Sequence, residues 1–292
     1  MKRKVIFGIL FFIGFLVVAY PVISDQWNTY RQSRLISDYD QAVREMKEED
    51  FEEVWEAARK YNQTFAQNSI LSDVFGIDGD QDIRDSEYWK VLNVTGDGIM
   101  GYLTIPKINV KLSVYHGTSE DVIQTGVGHL NGTKLPIGGE SNHSVLSAHR
   151  GLPSAKLFTD IDQLAKGDRF YLHILYEDLA YEVDQVLPMI DKDDYDALED
   201  AVKIEEGQDQ VTLFTCTPYG VNSHRLLVRG HRVPYDGELE TTPVESMVQV
   251  VRTYYMLYLL IGLGVTALAI LAMRRISKRR ARKRAGSEDR ES

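Results

Sequence analysis

Two stretches of the chain carry no charge. Val5 to Ile23 runs 19 residues without one, and Thr253 to Met273 runs 21. An α-helix needs about 20 such residues to cross the hydrocarbon core of a bilayer, so both are expected to span a membrane. The first is longer than the apolar core of a cleaved signal peptide, about 7–15 residues. Tyr20-Pro21-Val22 is also a poor cleavage site. The first segment therefore reads as an uncleaved signal anchor. Tyr254, Tyr255 and Tyr258 stand at one end of the second segment, where an aromatic belt meets the headgroups.

Between the two, the pattern changes twice. Residues 31–67 hold no proline or glycine. Leu35, Ile36, Tyr39, Val43, Met46, Phe51, Val54, Trp55, Ala58 and Phe65 recur at three- and four-residue spacing among Glu, Lys and Arg. That period predicts an amphipathic helical arm. It either packs on the domain that follows or holds it off the membrane, and packing is the default. Residues 68–98 are rich in Asp and Gly and predict a loop. Its DGDQD stretch lacks the complete calcium-loop pattern, so no metal is expected. From Met100 onward come seven short runs rich in Val, Leu, Ile and Tyr: GYLTIPKI, VKLSVYH, HSVLSAH, RFYLHIL, LAYEVDQVL, QVTLFTC and RLLVRGHRV. Gly, Asn, Asp and Pro turns separate them. Seven or eight such strands predict a mainly-β sandwich or closed barrel. LPSAKLFTDIDQL has room for a short helix.

Charge gives the orientation. Lys2, Arg3 and Lys4 precede the first apolar segment, and residues 274–292 hold nine basic residues against three acidic. By the positive-inside rule both termini, 1–4 and 274–292, lie in the cytoplasm and the middle lies outside. The basic tail directly after a span is a topology signal that also attracts anionic lipid. The whole chain has a net charge of -10, which argues against a general nucleic-acid binder. The outer part is more acidic still, with 21 basic and 40 acidic residues. Such a surface favours solubility and suits a cationic, lysine-rich partner.

There is one cysteine, Cys216, so no internal disulfide and no CxxC metal or redox site can form. An unpaired thiol outside the cell is either buried and inert or used because it reacts. Cys216 ends an apolar strand, a turn follows, and a second strand starts at Arg225. If the two strands pair as a hairpin, positions summing to 441 oppose one another. Cys216 then faces Arg225 and Phe214 faces Leu227, with the register open to a slip of one. A guanidinium beside a thiol favours the thiolate and can hold an oxyanion. A cysteine nucleophile also needs a proton carrier. His149 ends the strand Ser144–Ala148 and leads into Arg150-Gly151, a position suited to function. His224, in the turn beside Cys216, is its rival. His173 and His231 lie inside strands. The Asn-x-Thr sequons at Asn62, Asn93 and Asn131 would suggest glycosylation in a eukaryotic secreted protein.

Thr212-Leu-Phe-Thr-Cys216 resembles the TLxTC signature of sortases. Ser147-Ala-His-Arg-Gly151 resembles the segment with the sortase catalytic histidine, and His224-Arg-Leu-Leu-Val-Arg-Gly230 the strand with the sortase arginine. The three blocks keep the family's order, and the resemblance covers about residues 99–235. It implies a closed eight-stranded sortase-type β-barrel with an N-terminal helical arm and lid (24–98), flanked by transmembrane helices at 5–23 and 253–273. A linker, 236–252, joins barrel and second helix. The resemblance also implies a Gram-positive surface enzyme with Cys216 as nucleophile, His149 as general acid and base, and Arg225 as oxyanion and substrate stabiliser. Thr215 either bonds the intermediate or only packs. Cys216-Thr-Pro-Tyr-Gly220 and the C-terminal apolar segment are similar to class C, the pilus-building sortases. Their lid motif, Asp-Pro-aromatic, has its best match in Asp73-Val74-Phe75. Valine replaces proline, so the turn is less fixed.

The resemblance implies a transpeptidase without cofactor or metal. It would cleave the LPxTG-like sorting signal of a secreted pilin and join it to a lysine of another pilin. Anchoring to the peptidoglycan precursor is the nearer alternative. A noncatalytic pilin-binding assembly factor is the further one, and a sensor fits poorly because 19 tail residues hold no signalling domain.

Overall fold

The computed structural model describes residues 2–65, 83–84 and 86–237, and the single positions 262, 264 and 275. Side chains are described from residue 11 onward. The chain divides into two compact units, Met1–Val244 and Glu245–Ser292, and the fold here is that of the first. Asp73 and Phe75, the DGDQD stretch and the second apolar segment at 253–273 lie outside the described residues. Among those described, no helix is long and apolar enough to cross a membrane.

Eight strands close a barrel: β1 (Ile99–Ile105), β2 (Val110–His116), β3 (Val127–His129), β4 (Asn142–Ser147), β5 (Arg169–Ile174), β6 (Glu177–Asp191), β7 (Asp209–Thr217) and β8 (His224–Val233). Their order around the barrel is β1-β2-β3-β4-β7-β8-β6-β5. Seven coincide with the expected runs. The eighth, β3, has three residues, too few to show an alternating pattern. It pairs parallel to β2 and antiparallel to β4. β4 is buried at all six positions. One of its faces lines the core with Leu146; the other, with Val145, lies under a helix. Four of its six residues, Asn142, His143, Ser144 and Ser147, are polar side chains buried by this double covering. Gly101 sits where β1 bulges, and a Cβ there would come within 2.3 Å of the His173 carbonyl oxygen. Only glycine allows β1 and β5 to approach so closely.

The arm is two helices, α1 (Lys2–Glu45) and α2 (Glu48–Thr64), rather than one over 31–67. The apolar stripe steps by five residues from Met46 to Phe51, so a straight helix would carry it off the barrel. A break at Lys47 restores its direction, and Glu48, Glu49 and Asp50 fill the first turn of α2, where the helix dipole favours negative charge. The arm packs on the barrel. Gln32, 1% exposed, donates from Nε2 to the Thr125 carbonyl and accepts the Ser113 N–H on Oε1. Asn62 makes the same paired contact with the backbone N–H and C=O of Leu135.

Tyr39 joins α1 to β1 and to the turn after β5. Its hydroxyl donates to the Met100 carbonyl and accepts the Leu175 N–H, both at 2.9 Å, in full burial. Tyr39→Phe leaves both backbone groups dry and unpaired. It is expected to cost about 1–3 kcal/mol, read as a lower urea midpoint at unchanged slope. An unchanged midpoint would show that the hydroxyl does not clamp the arm.

Three short helices lie outside the expected helical arm and strands. α3 (Glu87–Lys90) is capped by Ser86, whose Oγ accepts the Trp89 N–H. After α4 (Glu120–Ile123) and β6 comes α5 (Tyr195–Val202), capped by Asp194 through the Ala197 N–H. The segment 152–164 carries only a 3-10 turn, Ile161–Gln163.

Candidate active site

Cys216 and Arg225 face each other across β7 and β8, and Phe214 faces Leu227. This is the register expected from the sequence. Direct cross-strand neighbours hold their Cβ atoms about 4.5–5.5 Å apart. Both residues are buried, Cys216 at 5% exposure and Arg225 at 2%. The connecting turn accepts the guanidinium: Arg225 Nη1 donates to the carbonyls of Asn222 at 3.0 Å and His224 at 3.1 Å. The turn itself closes with the Val221 and Asn222 N–H groups on the Pro218 carbonyl.

His149 arrives from the other side of β7. β4 runs parallel to β7, with Asn142 beside Asp209 and Ser147 beside Phe214. The constant offset carried two residues further sets position 149 level with position 216. Two bonds hold the approach. The Ala148 N–H donates to the Phe214 carbonyl, and the Thr215 hydroxyl donates to the Ala148 carbonyl at 2.7 Å. The His149 carbonyl then accepts the Phe158 N–H. Its ring Nε2 lies 3.3 Å from Glu120 Oε1 on α4.

Thr215 is fully buried with its hydroxyl donated to the Ala148 carbonyl, which ties the cysteine strand to the histidine segment. Thr215→Val keeps the shape and removes the bond. The expected result is an intact barrel with slower turnover, about tenfold, from a displaced His149. Full activity would show that the backbone bond from Ala148 is sufficient.

Arg150 braces the same corner. It donates from Nη1 to Thr217 Oγ1 at 3.0 Å and from Nε to the Thr159 carbonyl, and it pairs with Asp162. Gly151, at φ +82, lies under Tyr219; a Cβ there would meet the ring at 2.8 Å. Beyond the corner, α5 sets Leu198, Ala201 and Val202 against Val145, Phe214 and Leu227. The strand face that ends at Cys216 therefore has an apolar flank.

The remaining histidines do other work. His129 is wholly buried, bonded to the Tyr88 hydroxyl at Nδ1 and the Lys134 carbonyl at Nε2, and burial pushes it down to about 3. Burial also lowers His116, His143 and His173. All four favour the neutral form. His224 faces Thr217 in the register, with its Nδ1 on the Ser223 hydroxyl, and so remains close to the thiol. Sequence reasoning missed Glu120 and α5. Glu120 meets His149 through topology alone. α5 had a signal: Asp194 as a cap, then Leu198, Ala201 and Val202 at helical spacing. Among the described residues no cluster of three or more His, Cys, Asp or Glu could hold a metal.

Known proteins match this barrel. The family model for the sortase domain matches residues 103–233. Sortase C-1 of Streptococcus pneumoniae superposes at a TM-score of 0.64 with 43% identity, covering 69% of this chain and 99% of that one. A pilus-related sortase C of Group B Streptococcus superposes at 0.61 with 38% identity, covering 70% and 99%. Sortase D of Bacillus subtilis is 32% identical over 136 residues, 46% of this chain and 63% of that protein. The chain thus spans less than two thirds of that curated relative's length, while it spans nearly all of the two solved structures. With an arm, a closed eight-stranded barrel and the sortase motifs at one end of it, the chain belongs to the sortase family and is similar to its class C members.

Proposed function

We propose that this sortase is a membrane-anchored cysteine transpeptidase that polymerises pilins on a Gram-positive surface. The supporting observation is the register that pairs Cys216 with Arg225 and brings residue 149 level with them. In this reading the Cys216 thiolate attacks the Thr–Gly carbonyl of an LPxTG-like sorting signal. Arg225 favours the thiolate and holds the developing oxyanion. The C–N bond breaks as His149 gives its proton to the leaving amine, and a thioester remains on Cys216. A lysine amine of a second pilin then attacks, losing its proton to His149. The thiolate leaves and an isopeptide bond is made. The bond energy is carried in the thioester, so no nucleotide is consumed.

Asp73 and Phe75 form the lid in this proposal, with Asp73 answering Arg225 and Phe75 covering Cys216. The segments 5–23 and 253–273 anchor the enzyme from both ends, with the barrel outside and the basic tail on anionic lipid. The likeness to a pilus-related sortase favours pilin lysine over the peptidoglycan precursor as acceptor.

The reading is tested by mixing the full chain, in detergent, with an LPxTG-type peptide and either a pilin-derived lysine peptide or a peptidoglycan-stem amine. An isopeptide product formed preferentially on the lysine peptide is expected. A product on the stem amine alone would select the anchoring alternative. No product on either, with the LPxTG-type peptide still bound, would select the noncatalytic assembly factor.

A further inference from the structure

A cavity opens at the far end of the barrel from Cys216. It lies between α2 and the starts of β4, β6 and β7, and it measures about 570 Å³. Such a volume is within the range of ligand sites, roughly 300–1,000 Å³. Asp209 on its wall is seven residues before Cys216 on β7, so the cavity stands roughly 23 Å from the thiol at about 3.3 Å per residue.

Three cations line it: Arg59 on α2, Lys134 before β4 and Arg232 on β8. Among the described residues none of the three has a carboxylate within 4.0 Å. Arg59 lies over the Trp55 ring at 5.7 Å and Arg232 over Tyr181 at the same distance. Lys134 donates only to the Ser141 carbonyl, and burial lowers its affinity for a proton. A partly buried ammonium whose partner is a carbonyl oxygen gains from an incoming anion.

The acidic residues of the cavity offset this only in part. Asp209 is bonded to the Gly139 N–H and the Tyr181 hydroxyl and its charge acts on Arg232, which leaves Arg59 and Lys134 as the cations without an acidic partner among the described residues. Glu140 and Glu177 are exposed at the rim.

The wall also holds an unused donor. Asn62 is fixed by its two bonds to Leu135, and its remaining amide N–H donates to Asn142 Oδ1 at 3.1 Å. Asn142 must therefore present its oxygen to Asn62, and its own Nδ2 is left without a protein acceptor. The residue is 3% exposed and lines the cavity. Gly138 and Gly139 also line the cavity, both with positive φ; a Cβ at Gly139 would meet nothing within 4 Å, whereas one at Gly138 would come within 2.9 Å of Asp209 Oδ2. Cations, a spare amide donor, an open glycine backbone and the side of Trp55 together match a peptide that carries an acid group.

We propose that this cavity binds an acidic peptide segment, with a side-chain carboxylate seated against the cations between α2 and the barrel. The site is separate from the thiol and does not depend on the reaction assigned to it.

The test is calorimetric titration of the full chain in detergent. Acetyl-Glu-Glu-Glu-amide is the probe, acetyl-Gln-Gln-Gln-amide the uncharged control and sodium sulfate the plain-anion control. Saturable binding of the glutamate peptide alone is expected. Arg59→Ala, on the exposed face of α2, should weaken it about tenfold or more, the worth of one charge-assisted hydrogen bond. Lys134→Met provides a second variant with its own readout. Absence of saturable binding, equal binding of the glutamine peptide, competition by sulfate at equal strength, or unchanged affinity in both variants would each overturn the proposal.

Discussion

Cys216→Ala is expected to abolish acyl transfer, with a loss of about 10⁴-fold or more, while the barrel stays folded. The side chain is 5% exposed at the end of β7, and its backbone ladder with Arg225 does not depend on sulfur. Removing one buried sulfur costs on the order of 1 kcal/mol, too little to unfold a barrel with this core. Activity and unfolding should therefore separate: near-zero product formation at a urea midpoint close to the parent's. Retained turnover would remove Cys216 from the chemistry and leave the barrel as a binding module. Lost turnover together with lost folding would show a packing role in place of a nucleophilic one.

Acid should destabilise the protein well before its carboxylates are protonated. His129 is wholly buried and held neutral, pushed down to about 3 by burial. In the unfolded chain it protonates near 6.5. The unfolded state therefore binds the extra proton first, and stability falls as pH drops. The contribution is complete above about 6.5 and is lost progressively between there and about 3, at about 1.4 kcal/mol per pH unit. The lowered His116, His143 and His173 act in the same direction. For His116 the carbonyls of Gly98 and Val91 at its two ring nitrogens oppose the burial, so its share is smaller. Urea midpoints at pH 7, 6 and 5 should fall in sequence, and His129→Gln should flatten the fall. Equal midpoints across that range would show that these rings are not held neutral.

Seven strands were legible as short runs bounded by turn residues, while their closure into a barrel was implied only by the sortase resemblance. β3 was not, because three residues cannot show a period and its place comes from closure between β2 and β4. The hairpin register was legible from arithmetic, since β7 and β8 are joined by one turn and oppose each other with a constant sum. The level of His149 was not. It depends on a parallel pairing of β4 with β7 across more than 60 residues of intervening chain, which no local signal carries. The arm was read as one helix because nothing at Met46 or Lys47 breaks a helix chemically; the break comes from the need to keep the stripe on the barrel. The contact of Glu120 with His149 belongs to the same class, a meeting made by topology.

The central claim is that Cys216 carries the acyl group, and intact mass spectrometry of the full chain with an LPxTG-type peptide tests it most directly. Phe75→Ala, at the proposed lid, should be run beside the parent. The account predicts a mass increase equal to the peptide up to its threonine, located on Cys216, lost on adding a lysine-like amine, and larger in the Phe75→Ala chain. A folded protein whose thiol reacts with an alkylating reagent yet gains no peptide mass in either form would contradict it.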